Sequence, residues 1–296
     1  MEEKLNVLTA ADVKSMLPRR KKNSNKGDYG KAAIVAGGAR FSGAAVLAAQ
    51  GALYGGAGYT ALCVPQKLIF PLVGRLPEAL LLPLSRGKEW NFSSGRCGKI
   101  LSYQAIAAGM GMGNTKQTAK IIAFFLRNYT GKLLIDADGL NALSRFFGAE
   151  KTKSAFTEKQ CEALLTPHPA EFARLTGLPL QTVIENGAQE AKKYAAENGV
   201  TVLLKGAAGE KSMITDGTRV YYNATGNSGQ AKGGSGDTLA GLVCSLAASG
   251  ARLFEAACAG AYLCGKAAEI AVKTTSEYAL TASREAERIG EAFLTL

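Results

Sequence analysis

Along most of the chain, short apolar runs alternate with longer segments in which apolar residues recur every three or four positions. The runs 31–36 (KAAIVA), 59–64 (YTALCV), 104–108 (QAIAA), 132–136 (KLLID), 162–166 (EALLT) and 201–205 (TVLLK) predict buried strands. Helices are predicted at 43–54, 114–128, 138–146, 169–176 and 181–198, the second opening on Asn114, a good cap residue. A hairpin-like pair at 211–215 and 219–223, around Asp216-Gly217, leads into a glycine-rich loop and two further helices, 237–249 and 253–272. Strands this apolar, separated by helices, imply a mainly parallel sheet covered on both faces. No linker or repeat interrupts the pattern, so a single α/β domain over 1–296 is expected, with 1–25 as a lead-in segment. The uncharged stretch from Phe41 to Gln66 is long enough to imitate a membrane span. Its five glycines instead predict a buried helix, a turn and a buried strand, and no membrane association.

In a sheet of this kind, ligands sit beyond the carboxyl ends of the strands. Glycines, acids and amides cluster there: Gly37-Gly38, Gly109-Met110-Gly111, Asp136 to Asn141, Thr166 to Glu171 and Lys205-Gly206. GMGMGN (109–114), with Asp136 at the next strand end, imitates a dinucleotide-binding fingerprint, but its sixth position is Asn114, and a tight turn explains it equally well. The Walker pattern GxxxxGK[ST] is absent. The loop TGNSGQAKGGSGDTLAG (225–241) is the richer signal, since small residues ahead of a helix let backbone N–H groups gather around an oxyanion. Gly233, Gly234, Ser235 and Gly236 form its phosphate-binding core, and Asp237 follows at the helix entry. As a bare N-cap, Asp237 would be unremarkable. Beside a phosphate it repels the ligand, unless it binds a hydroxyl and takes its proton as that oxygen attacks phosphorus. On that reading Asp237→Asn lowers turnover by about 100-fold or more and leaves stability nearly unchanged. His168, between Pro167 and Pro169, stands on a stiff turn suited to positioning a ligand.

Composition narrows the classes. With 47% hydrophobic and 20% charged residues, the chain reads as an ordinary globular protein. Six cysteines form no CxxC; five have apolar or small neighbours and Cys97 lies in a polar, turn-like stretch. With one histidine besides, a zinc site is not expected, and reduced thiols fit a cytoplasmic protein. The amino end, MEEKLNVLTA, has no apolar core of a secretory signal. The net charge of +11 is scattered apart from Arg19 to Lys22, with no aromatic-plus-basic run, so nucleic acid is not the expected partner.

The segments KGDYGKAAIVAGG (26–38), FSGAAVLAAQGALYGGAG (41–58), DADGLNAL (136–143), LTPHPAEFARLTG (165–177), VLLKG (202–206) and NATGNSGQAKGGSGDTLAG (223–241) together resemble the ADP-dependent NAD(P)H-hydrate dehydratases. HPAE together with AKGGSGD makes the resemblance specific, and it covers almost the whole chain in order. It implies a ribokinase-like fold and a repair activity on nicotinamide nucleotides. NADH or NADPH hydrate, in its S form, would be phosphorylated on the ring hydroxyl by ADP, and loss of phosphate would restore the cofactor, leaving AMP. By the resemblance, Asp237 is catalytic and, with Ala45, Gly111 and His168, lies along the hydrate. Lys205, Gly206, Ala207, Ala208, Gly209 and Gly236 hold the adenine nucleotide, ADP or ATP. Glu171 acts with Mg2+ through water. A homotetramer and an NAD(P)H-hydrate epimerase on a separate polypeptide are implied as partners. Two departures stand out: Lys211-Ser212 where many relatives place a threonine, and Met110 where many have proline. The alternatives are a kinase of the same fold acting on hydroxymethylpyrimidine or hydroxyethylthiazole, a non-catalytic nucleotide-binding regulator and, last, an oxidoreductase built on GMGMGN.

Overall fold

The structure, a computed structural model, describes residues 5–208 and 211–296. The first half contains α1 (Ala10–Met16), β1 (Lys31–Val35), α2 (Ser42–Tyr54), β2 (Tyr59–Pro65), α3 (Ile69–Leu72), β3 (Leu80–Ser85), α4 (Ser94–Cys97), β4 (Ala105–Ala108), α5 (Lys116–Asn128) and β5 (Lys132–Ile135). The second contains α6 (Asp138–Thr157), β6 (Glu162–Leu165), α7 (Pro169–Thr176), α8 (Leu180–Asn198), β7 (Thr201–Ala208), β8 (Lys211–Thr215), β9 (Val220–Asn223), α9 (Ser235–Ala248), α10 (Leu253–Ala271), α11 (Ala282–Glu287) and α12 (Ile289–Phe293).

Among the described residues the strands form one sheet in the order β3-β2-β1-β4-β5-β6-β7-β8-β9. From β3 to β7 all pairs are parallel, and β7-β8-β9 closes as an antiparallel meander. The expected α/β class and parallel sheet are therefore borne out. Helices α2, α9 and α10 cover one face, α5 to α8 the other, and each face has its own apolar core. No helix among the described residues is long and apolar enough to cross a membrane, and 41–66 divides into α2, a glycine turn and β2 as expected.

Several local expectations shift. The cap of α5 is Thr115, not Asn114: Thr115 is extended (φ −125°, ψ 158°) and its hydroxyl accepts the Thr118 N–H at 3.2 Å. Helix α6 runs past the predicted end at 146, through a kink at Gly148 (φ 70°). Strand β3 is unforeseen because Pro83 breaks its apolar run; at a sheet edge a missing N–H costs no ladder bond. Cys97, although it lies in a polar stretch, is buried and joins the core between α5 and the sheet. Part of the lead-in is docked: Leu8 N–H donates to the Tyr222 carbonyl on β9, and Tyr222 N–H to that of Asn6.

Two features of the fold position a site. The sheet reverses its order between β1 and β4, and their carboxyl ends are tied: Gly37 N–H donates to Met110 O (2.7 Å) and Gly109 N–H to Val35 O (3.2 Å). The second feature is how closely α9 is clamped to α2. A Cβ on Gly241 would stand 1.8 Å from the Ala48 carbonyl oxygen, and one on Gly51 2.1 Å from that of Thr238. Two helix backbones in direct contact leave α9 no play, so its first turn is held where the strands end.

Candidate functional site

The first turn of α9 is open. Its N-cap is Gly234, in a left-handed conformation (φ 108°) with no side chain to cap the turn. Asp237 is thus not the N-cap; it is the third residue of the helix. The cap-only reading fails on this geometry. The N–H groups of that turn have no intrahelical acceptor and point out of the helix end, the arrangement that holds phosphate. Gly234 is required twice over, because a Cβ would strain its φ and meet Leu47 Cδ1 at 2.5 Å.

Facing this turn is a cluster of charges from three other elements. Asp136, buried at the end of β5, accepts the Thr166 hydroxyl at 2.8 Å and pairs with Lys205 Nζ at 3.1 Å. Lys205 comes from β7, and its ammonium would lie 3.4 Å from a Cβ on Gly236, with Asp136 Oδ2 at 3.9 Å. The missing side chain at Gly236 is therefore what admits the cation to the helix end. Burial works against the Lys205 charge, but Asp136, Glu171 and Asp237 hold its pKa above the ordinary value. Asp138, the first residue of α6, accepts the Gly113 N–H at 2.7 Å and so ties the GMGMGN turn to the start of that helix. Burial raises its pKa, and so does Asp136. Between the two aspartates Ala137 is held at φ 49°, ψ −119°, a conformation that disfavours any side chain.

Asp237 sits in the middle of this field. Burial first, then Asp136 and Asp138, push its carboxyl up to about 7 against the opposing pull of Lys205. A carboxylate poised there is matched to proton abstraction near neutral pH. Asp136 accepts both Thr166 and Lys205 through Oδ1, so the acid at the end of β5 is tied into this charge cluster.

His168 and Glu171 form a reciprocal cap at the start of α7. His168 Nδ1 accepts the Glu171 N–H at 3.4 Å and Glu171 Oε2 accepts the His168 N–H at 3.0 Å, with Pro169 at the first helical position. The accepting Nδ1 leaves the ring proton on Nε2, and burial lowers the pKa, so the half-exposed ring is neutral at pH 7. Glu171 is almost fully buried, its Oε1 also reached by Asn141 Nδ2 at 3.4 Å. Asn141 in turn accepts Arg174 Nε at 2.9 Å.

A cavity of about 820 Å³ opens beside the first turn of α9. Of the residues expected to hold the nucleotide, Lys205, Gly206 and Gly236 line it, as does Ser235 of the phosphate loop. Ala207 is buried behind it, and Gly209 lies outside the described residues. Lys211 and Ser212, the departures noted in the sequence, line it too, with the uncharged run Asn223 to Ser228 that leads into the glycine-rich loop. Gly111 (φ 63°) packs on Phe41 and Ala44, and Ala45 is fully buried with its Cβ against Gly37. Ala45 thus shapes the Gly37 turn from beneath. Trp90 also supports that turn, its indole N–H donating to Gly37 O at 2.5 Å. Lys232, just ahead of the glycines, does not face the helix end: its Nζ donates to the carbonyls of Leu280 (2.9 Å) and Tyr278.

A doubly wound sheet, an uncapped glycine-flanked helix end, a buried lysine and a carboxylate poised near neutrality define a nucleotide-dependent α/β enzyme of the ribokinase-like class. The chain belongs to the NAD(P)H-hydrate dehydratase family, which it matches over residues 32–289. It is 37% identical over 266 residues to the ADP-dependent (S)-NAD(P)H-hydrate dehydratase of Neisseria meningitidis, covering 88% of this chain and 84% of that one. A bifunctional NAD(P)H-hydrate repair enzyme of Moorella thermoacetica is 36% identical over 282 residues, and there the match spans 51% of the longer protein. The ADP/ATP-dependent NAD(P)H-hydrate dehydratase of Bacillus subtilis, crystallised with ATP and Mg2+, has a TM-score of 0.83 at 28% identity, covering 99% of each chain. The fold expected from the motifs is borne out by that likeness.

Proposed function

We infer that the protein is an ADP-dependent (S)-NAD(P)H-hydrate dehydratase. The observation that carries the reading is Asp237, on the third position of an uncapped helix and pushed up to about 7, beside the Lys205 ammonium. The cavity takes ADP with its terminal phosphate at the first turn of α9. Lys205 and the turn's N–H groups stabilise the charge on the moving phosphoryl group. The ring hydroxyl of the hydrate, held between Gly111 and His168, gives its proton to Asp237 as its oxygen attacks the β-phosphorus, and AMP leaves. Phosphate, a far better leaving group than hydroxide, then departs with its C–O electrons as the ring loses a proton and the double bond returns. The kinase alternative stops at the phosphorylated product. The dehydratase reading is favoured by HPAE and AKGGSGD in one chain and by the similarity to dehydratases of two bacteria and to a bifunctional NAD(P)H-hydrate repair enzyme of a third.

Magnesium fits as a phosphate-held ion. Among the described residues no three His, Cys, Asp or Glu side chains are spaced to chelate a metal, and Mg2+ bound with nucleotide phosphates keeps much of its water. Glu171, whose oxygens cap α7, would meet it only through water. The ion would neutralise phosphate charge there. The whole of 1–296 as one catalytic unit, a cytoplasmic homotetramer and a separate epimerase supplying the S form complete the reading. The test is incubation with Mg2+, ADP and NADH hydrate. The dehydratase restores NADH absorbance; no recovery, with hydroxymethylpyrimidine or hydroxyethylthiazole phosphorylated from ATP, transfers the assignment to the kinase. Nucleotide binding with neither reaction points to a regulator.

A further inference from the structure

A second carboxylate lies beneath the anion loop and takes no part in the phosphoryl transfer. Glu285, on α11, has no exposed surface. Its Oε1 accepts Gln230 Nε2 at 3.0 Å, and Oε2 has no hydrogen-bond partner. The Ser235 side chain, on the first residue of α9, also faces the carboxyl. Gln230 is itself wedged in place: a Cβ on Gly226 (φ 116°) would stand 2.3 Å from its Oε1. Both Gln230 and Ser235 line the nucleotide cavity, so Glu285 touches the loop on the face opposite the ligand.

No cation answers this carboxylate among the described residues. Helix α2, which packs against α11, carries no charged side chain. Helix α9 brings Asp237, two residues beyond Ser235. From α10 the Cys264 thiol faces it, kept protonated by burial and by Glu285 itself. Further along α10, Glu269 is paired with Lys266 and accepts the Gly226 N–H. Arg284, Glu287 and Arg288 of its own segment line a separate cleft, and Glu291 of α12 pairs with Arg288. An ionised carboxylate buried without a cation is expensive even with Gln230 and Ser235 against it, whereas a neutral acid is tolerable. A phosphate arriving across the loop adds negative charge and tilts the balance further toward the acid.

We propose that Glu285 is a positioning residue for the nucleotide: in its protonated form it holds Gln230 and Ser235 in place beneath the loop, and ADP binds preferentially to that form. The proposal rests on the cavity being the ADP site. Burial pushes the Glu285 carboxyl up to about 7 in the free protein, outweighing the Ser235 and Gln230 hydrogen bonds that favour the ionised form, so ADP affinity declines as pH rises through neutrality. By linkage, ADP binding draws a proton onto the protein.

The test measures ADP affinity by calorimetry from pH 6 to pH 9, in an Asp237→Asn background that silences the other carboxylate. Glu285 is compared with Glu285→Gln, which mimics the neutral acid, and with Glu285→Ala. The ratio of Kd for Glu285 to Kd for Glu285→Gln cancels the titration of ADP itself. It should rise by about 10-fold or more across the range, with proton uptake seen for Glu285 alone and with Glu285→Ala binding weakly at every pH. A flat ratio, or equal proton uptake in the Gln variant, overturns the proposal while leaving the nucleotide site intact. Absence of ADP binding in every form overturns the nucleotide assignment and this proposal with it.

Discussion

Asp237→Asn should make the protein more stable while removing its activity. The native carboxyl is pushed from its ordinary 3.8 up to about 7 by burial and by Asp136 and Asp138, so the folded protein binds that proton more tightly than the unfolded chain does. Below pH 3.8 both states are protonated and the group costs nothing. Between 3.8 and 7 only the unfolded state ionises, and stability falls as pH rises. Above 7 the penalty is complete, at about 1.4 kcal/mol per pH unit between the two values, or on the order of 4 kcal/mol as an upper bound. Asparagine occupies the same volume without the charge and, since Gly234 and not Asp237 is the cap, forfeits no capping bond. At about 2 °C per kcal/mol for a chain of this size, the variant should melt up to about 8 °C higher at pH 8. At pH 5 the penalty has shrunk to under about 2 kcal/mol, and the gap narrows to a few degrees. This replaces the unchanged stability that the sequence alone suggests. Thermal melts of both proteins at the two pH values measure it, and turnover assayed alongside should fall by about 100-fold or more. A melting temperature that drops at pH 8, or a gap that does not change with pH, would refute the idea of a buried base held against its own charge.

Other substitutions probe the supports of the site. Ala137→Gly relieves a φ of 49° and should stabilise the fold by about 1 kcal/mol, the strain released less the glycine entropy, measurable by denaturant unfolding. Gly241→Ala places a Cβ 1.8 Å from Ala48 O and must part α2 from α9; a loss of more than about 3 kcal/mol is expected, with activity lost as the α9 terminus shifts. Lys205→Met removes the cation at Gly236 and leaves Asp136 buried without its partner, so the KM for ADP should rise by about 10-fold or more. Turnover by the unaltered enzyme should climb with pH through about 7 as Asp237 ionises, an acid limb that Asp237→Asn lacks.

Much of the fold was legible because its strands are buried on both faces and announce themselves as unbroken apolar runs. Strand β3 was missed because an edge tolerates Pro83, and the second half of α6 because Gly148 interrupts its helical period. At the site, glycines mark places where something approaches closely, but not what approaches. Gly236 admits the Lys205 ammonium, and Gly241 admits a carbonyl of α2. Asp237 was legible as an acid in the wrong company. Its coupling to Asp136, Asp138 and Lys205 was not, since those residues reach it from β5, α6 and β7, far apart in sequence. Glu285 was invisible for the same reason: it sits in a short helix with exposed charges on either side, and nothing local says that it alone points inward.

The central claim is that the ring hydroxyl of the hydrate attacks the nucleotide's terminal phosphorus before it leaves. Hydrate labelled with oxygen-18 in that hydroxyl decides it. With Mg2+ and ADP the label should emerge in inorganic phosphate, one atom for each NADH restored and each AMP formed. Label recovered in water would mean that hydroxide left directly, and it would contradict the proposed roles of Asp237, Lys205 and the open end of α9.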